Sequence, residues 1–237
     1  MHPHGVFYAK DSEGAPYVDG TSGADKADDS VPPGGQHLYI WPVPKRAGPA
    51  KNDSNSVAWV YHSHTDETAD TNAGLIGAII ISKDAKSDGS AKDVNYEFVS
   101  LFTVFNENAS TLFSTNIAKP QCGGSPTCLL SAADFEESNL MHGINGRVWG
   151  NNSGYNMAKG KKARWYILGM GTEVDLHTSH WHGNTLEHHK HRTDVAQIFP
   201  SESKVYNMNP DNRGIWMYHC HVNDHIDAGM TTVYTVQ

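Results

Sequence analysis

With 18 Lys plus Arg against 26 Asp plus Glu, the 237-residue chain carries a formal charge of -8 when its 15 histidines are neutral. It has no Lys/Arg stripe to grip a phosphate backbone, which excludes nucleic acid as a partner, and 38% hydrophobic with 10% aromatic residues excludes a disordered chain. The longest apolar run, Gly74 to Ile81, is far below the roughly 18 to 20 residues that cross a bilayer, so no membrane span is expected.

In chain order, Met1-His2-Pro3-His4-Gly5-Val6 already reads as the middle of a structural unit. That predicts a first domain lacking its early strands; were Met1 the true initiator, the domain would begin at its own metal site. Short β-rich runs follow at His37 to Pro42, Val57 to His64, Leu75 to Ser82, Glu97 to Phe105, Ala163 to Leu168, Gly214 to His221 and Met230 to Val236. Between them lie Gly, Pro, Asn and Asp clusters, and helical periodicity is scarce. The pattern predicts an all-β protein of sandwich architecture. Lys83 to Asp93, where Lys and Asp mix with Ser and Gly and no large apolar side chain occurs, is the linker candidate. It divides the chain into 1–88, short for a sandwich, and 89–237, long enough for a whole one.

The three cysteines have different settings. Cys122 and Cys128 bracket a Gly-Gly-Ser-Pro-Thr loop and suit a local disulfide, the alternative being that either pairs outside the chain; Cys220 lies between two histidines and suits a thiolate ligand. Sequons at Asn52, Asn108 and Asn151 add to the expectation of an oxidising, extracellular compartment and a glycoprotein.

Histidine pairs two residues apart stand at His2/His4, His62/His64, His180/His182 and His219/His221. In an extended strand each pair shares a face, and eight such imidazoles suffice for three metal ions. Parity sets a second group apart. Cys220 points away from His219 and His221, and His177, three residues before His180, also reverses face. With His225 and Met230 they make two imidazoles, a thiolate and a thioether, the blue-copper ligand set; zinc would use four strong ligands, and Met is a poor one. His188, His189 and His191 read as an exposed loop, and His37 as a surface residue.

The segments His2-Pro3-His4-Gly5, His62-Ser63-His64, His177 through Gly183 and His219-Cys220-His221 through His225 to Met230 resemble the four copper signatures of the multicopper oxidases. Within that family the chain is most like the ceruloplasmin and hephaestin group, through Gly14-Ala15 to Asp19, Gly74-Leu75-Ile76-Gly77, Glu137-Ser138-Asn139, Gly169-Met170-Gly171 and Thr231 to Val236. The resemblance implies a cupredoxin-like Greek-key β-sandwich in each domain. It also implies copper as cofactor: one type 1 ion on His177, Cys220, His225 and axial Met230; one type 2 ion on His2 and His180; and two type 3 ions, on His4, His62 and His221, and on His64, His182 and His219. Trp181, inside a copper motif, is placed to shape the type 1 surroundings.

In the ceruloplasmin group an acidic residue beside the type 1 histidine, with a Glu and a His five residues apart upstream, binds the iron substrate. The counterparts here are Asp224, Glu137 and His142; Glu173 is a weaker acidic candidate, left outside the set. Hard carboxylate oxygens favour Fe(III) over Fe(II), easing oxidation of the bound ion. The resemblance therefore implies a ferroxidase with Fe(II) and dioxygen as substrates. The alternatives are a laccase-like oxidase of phenols or amines and a copper-free extracellular matrix or adhesion module. Because the family's cluster sits between two domains, either the two halves of one chain face each other, or copies close a homotrimer, or the chain is part of a longer multi-domain protein. It would be secreted or an anchored ectodomain.

Overall fold

A computed structural model describes residues 1–117 and 132–237. Cys122 and Cys128, with the disulfide expected between them, lie outside the described residues.

In chain order the strands are β1 (His2–Pro3), β2 (Ser56–His62), β3 (Ile76–Ser82), β4 (Tyr96–Asn106), β5 (Leu140–Ile144), β6 (Asn156–Met157), β7 (Ala163–Gly169), β8 (His177–Trp181), β9 (Leu186–His188), β10 (His191–Thr193), β11 (Val195–Ile198), β12 (Ser203–Met208), β13 (Gly214–Cys220) and β14 (Thr231–Val236). The described α-helices are short: α1 (Glu67–Thr71), α2 (Phe113–Ile117), α3 (Ala132–Ser138) and α4 (Asn223–Asp227). The strands form three sheets, ordered β1-β2-β3, β10-β9-β12-β7-β4-β5 and β11-β8-β13-β14-β6. The fold is all-β, as expected.

Side-chain alternation on the central strands stacks these sheets as three layers. Strand β7 is buried along its whole length because both its faces are covered. Trp165 and Ile167 join the core shared with Trp181, Tyr218, Cys220 and Met230 of the five-stranded sheet. Tyr166 and Leu168 point the other way, against Ala58 and Val60 of β2. The six-stranded sheet is thus the middle layer.

A polar network ties the small sheet to the middle one. Buried Arg164 donates to both carboxylate oxygens of Asp93 (3.0 and 2.6 Å), to Ser56 Oγ (2.7 Å) and to Asn207 Oδ1 (3.0 Å). Ser56 also hydrogen-bonds Tyr166 (2.6 Å), which donates to Glu97. Every guanidinium edge is used, as a buried charge requires.

One local expectation is corrected. His37 to Pro42 has no ladder partner: Ile40 N donates to Ser12 Oγ, and Phe7 N to Pro42 O. Prolines at 42 and 44 remove donors a ladder would need, and an inward file of His37, Tyr39, Trp41 and Tyr61 rings holds the segment instead. Residues 83–93, the linker candidate, are exposed over most of their length. They fold back through an Ala85–Ala91 bridge, Ala91 is buried, and Asp93 is fixed by Arg164.

Candidate metal centre

In β8, His177, Ser179 and Trp181 face the core while Thr178 and His180 face out; in β13, Tyr218 and Cys220 face in. The registers Cys220↔Ser179 and His219↔His180 lock the two strands at that phase. Parity therefore separates sulfur from imidazole within consecutive residues, as expected.

On the core side, His177 Nδ1 and His225 Nδ1 lie 3.1 Å apart, and Cys220 Sγ is 3.9 and 3.6 Å from them. Both histidines and the thiol are buried. Met230, fully buried, is drawn to them by the backbone bonds Cys220 N to Met230 O (3.0 Å) and Met230 N to His225 O (2.9 Å). Burial pushes the Cys220 thiol up, but hydrogen bonds to His177 and His225 outweigh it and bring the pKa to about 6. Burial lowers His177, and Asp175 with Cys220 more than offsets that, leaving it raised.

The paired histidines form two quartets built alike. In the first, β1 and β2 set His2 opposite His62; in the second, β8 and β13 set His180 opposite His219. His4 Nε2 then lies 3.3 Å from His62 Nε2, and His182 Nε2 lies 3.1 Å from His219 Nε2. Backbone carbonyls accept the Nδ1 protons in parallel: Glu13 for His2 (2.8 Å), Ser63 for His62 (2.9 Å), Asp194 for His180 (2.9 Å) and Cys220 for His219 (2.7 Å). Such bonds fix the tautomer and leave Nε2 as the metal-facing lone pair. His64 and His221 complete the quartets by ring contacts, 5.4 Å from His2 and 5.5 Å from His180.

In each quartet one His-x-His is followed by a Gly with left-handed backbone, and a tryptophan packs on it: Gly5 (φ 74°) under Trp59, Gly183 (φ 73°) under Trp216. A β-carbon there would sit 2.2 and 2.5 Å from the indoles.

Burial, aided by neighbouring histidines, lowers the pKa of His2, His182 and His219, and takes His4 to about 4. These imidazoles are neutral at neutral pH, the form that binds metal. Among the described residues no hydrogen bond or ring contact joins one quartet to the other. His180 and His182 sit on the face of the five-stranded sheet turned away from the core, with the middle sheet between them and β2.

The three iron candidates are differently placed. His142 packs its ring on His225, centroids 5.2 Å apart. Burial lowers its pKa, and the hydrogen bond to Leu140 O and the nearby Glu137 carboxylate only partly offset this. Glu137, near the end of α3, and Asp224, in the first turn of α4, are exposed. No hydrogen bond or ion pair joins these three among the described residues.

Residues 124–237 match the family model described as multicopper oxidase. The chain is 45% identical over 240 residues to hephaestin of Rattus norvegicus, 44% over 239 residues to ferroxidase HEPHL1 of Homo sapiens and 38% over 238 residues to ceruloplasmin of Ovis aries. Residues 124–237 of this chain belong to the multicopper oxidase family. Each alignment covers all of this chain but 21%, 20% and 23% of the relative, so the chain spans about a fifth of those proteins' length. Among solved structures, a blue copper oxidase from Nitrosomonas europaea overlays with TM-score 0.60 at 20% identity, over 99% of this chain and 68% of that one. Another multicopper oxidase gives 0.61 at 16%, over 100% and 71%. These likenesses establish the cupredoxin-like fold.

Membership implies copper, and the donors fit it. Two Nδ1 atoms converge with a thiol of lowered pKa beside a buried methionine, a soft set that suits copper better than a hard cation. His180, His182 and His219 also converge, with ligand atoms within 4.8 Å of one another.

Asp175 was not among the sequence candidates. Its Oδ1 accepts from His177 Nε2 (3.2 Å) and Val104 N (2.6 Å), and Oδ2 from Thr172 N (2.8 Å). It holds the His177 ring with Nδ1 toward the sulfur. The signal was available, because Asp175 has the parity of His177. Trp181 belongs to the core, stacked on Tyr218 at 4.8 Å. The loop expected around His188 to His191 is a hairpin, with His188 half-buried against Tyr206.

Proposed function

We propose that this chain forms part of a multicopper ferroxidase that oxidises Fe(II) to Fe(III) and reduces dioxygen to water. The observation that carries this reading is the packing of His142 on His225, which sets a candidate iron ligand against a member of the thiolate site. His177, Cys220, His225 and Met230 would hold type 1 copper. His4, His62 and His221 would hold one type 3 ion, His64, His182 and His219 the other, and His2 with His180 the type 2 ion; the 3.3 and 3.1 Å contacts support those pairings. When bound, copper supplies one-electron acceptance at the first site and four-electron reduction of dioxygen at the cluster.

The chain's own residues set the geometry for this chemistry. Asp175 orients His177, backbone carbonyls hold the quartet tautomers, and the peptide His219-Cys220-His221 spans the two sites covalently. Glu137, His142 and Asp224 would bind Fe(II), with the exposed carboxylates receiving the ion from solvent. The division into a partial cupredoxin domain at 1–88 and a second at 89–237 belongs to this reading, as does an extracellular location, secreted or as an anchored ectodomain. Because the quartets belong to different outer layers, each would be completed by another copy, in a homotrimer closing head to tail, or by another domain of a longer chain.

Fe(II)-dependent dioxygen uptake tests the function. Asp224→Ala and His142→Ala should each lower it by about tenfold or more while leaving phenol oxidation within about twofold, since losing a hydrogen-bonding or charged contact removes a kcal/mol or more of binding. Unchanged Fe(II) oxidation in both variants, with phenol turnover dominant, would assign the laccase-like alternative. A copper-loaded protein without colour would assign the matrix module.

A further inference from the structure

Away from the histidine sites, a cleft of about 1110 Å³ opens between the loop before β2 and the β9–β10 hairpin. In a chain of net charge -8, its walls carry four cations, Arg46, Lys51, Lys190 and Lys204, against two carboxylates, Asp53 and Glu187. The carboxylates do not neutralise those cations. Asp53 is turned to Ala50 N (2.9 Å), and Glu187 lies 3.9 Å from Arg192. Lys204 is matched by Glu202 (3.1 Å). Arg46 stacks on Phe7 (4.0 Å) without an acidic partner, and Lys51 and Lys190 have neither ion pair nor hydrogen bond among the described residues.

Two histidine rings are also held at this cleft by backbone carbonyls. His188 Nδ1 donates to Val205 O (2.8 Å) and His189 Nδ1 to Asn52 O (3.1 Å). The hairpin tip places His189 and Lys190 at φ 47° and 66°, a turn that ordinarily takes Asn-Gly. Two long side chains keep the strained positions at the mouth of a cleft, where strain commonly accompanies function. Burial, with the charges of His189 and Lys204, lowers the His188 pKa, as an electropositive site without its anion would.

We propose that this cleft binds a small polyanion bearing several sulfate or phosphate groups, whose oxyanions Arg46, Lys51 and Lys190 receive. Tetrahedral oxyanions accept from several donors at once, and the volume suits a ligand of several such groups. Equilibrium dialysis of the full chain against pyrenetetrasulfonate, a weak copper ligand, tests this. Saturable binding that weakens with added salt is expected. Lys51→Gln with Lys190→Gln should weaken it at least about tenfold, while the paired Lys→Arg substitutions should stay within about twofold. Displacement by sucrose octasulfate identifies a soluble ligand, and displacement only by vesicles containing phosphatidylinositol bisphosphate identifies a lipid headgroup; both uphold the site. Absence of saturable binding overturns it, as does an equal loss in a control pair on another surface, Lys159→Gln with Lys161→Gln.

Discussion

At Cys220 a single residue's parity decides which chemistry each side of β13 performs. Its neighbours His219 and His221 belong to the outward quartet, while its sulfur meets His177 and His225 in the core. Asp175 is the residue that makes this site specific, because it holds His177 Nε2 and so presents Nδ1. Asp175→Asn should lower affinity at the thiolate site by about tenfold to a hundredfold, read by competition with a copper chelator, and shift the copper–thiolate absorption. Unaltered affinity and spectrum would reduce Asp175 to a loop brace. At Gly183, alanine would meet Trp216 at 2.5 Å in a left-handed conformation. Gly183→Ala should therefore lose about 2 kcal/mol of stability and weaken metal binding at His182, measured by denaturation and metal titration.

At the scale of elements, the matched registers of β1 with β2 and β8 with β13 make two half-sites of one design. If each is completed by another copy, His4→Ala and His182→Ala chains should both lack cluster activity alone and recover it on mixing. Random assembly restores about a quarter of interfaces, one half times one half. No recovery after mixed refolding would favour closure by another domain. Period-two reasoning made the histidine pairs and the long strands β2, β3, β4, β7, β13 and β14 legible, since each presents a run of alternating or continuously apolar residues. It could not resolve β9 and β10, three residues each and largely polar, nor β11, a four-residue run interrupted by Gln197. The segment 37–42 has strand composition but lacks a neighbour to pair with. That is a tertiary fact, as is the Arg164 network, whose partners Ser56, Asp93 and Asn207 are far apart in sequence.

For the molecule as a whole, that network joins the small sheet to the sandwich. Arg164→Ala should destabilise the protein by about 3 kcal/mol, as removal of one member of a buried pair does, with chemical denaturation as the measurement. The pH response follows from the quartets. The lowered pKa values of His2, His4, His182 and His219 mean that the unfolded chain takes up protons first as pH falls. The quartets' contribution to the stability of the metal-free protein is therefore full above the ordinary histidine value of about 6.5 and declines below it, reaching toward pH 4 for His4. Thermal unfolding across that window should show it, and bound copper should reduce the slope. The iron site was legible only through resemblance, since nothing in spacing alone brings His142 of β5 to His225 of α4. The most direct measurement of the central claim is copper content and visible absorption of the loaded protein beside Cys220→Ser. The variant should lose the blue band and the single type 1 ion while keeping the imidazole-held ions; retention of the band, or collapse of all copper binding in a folded variant, would contradict the separation of the two sites.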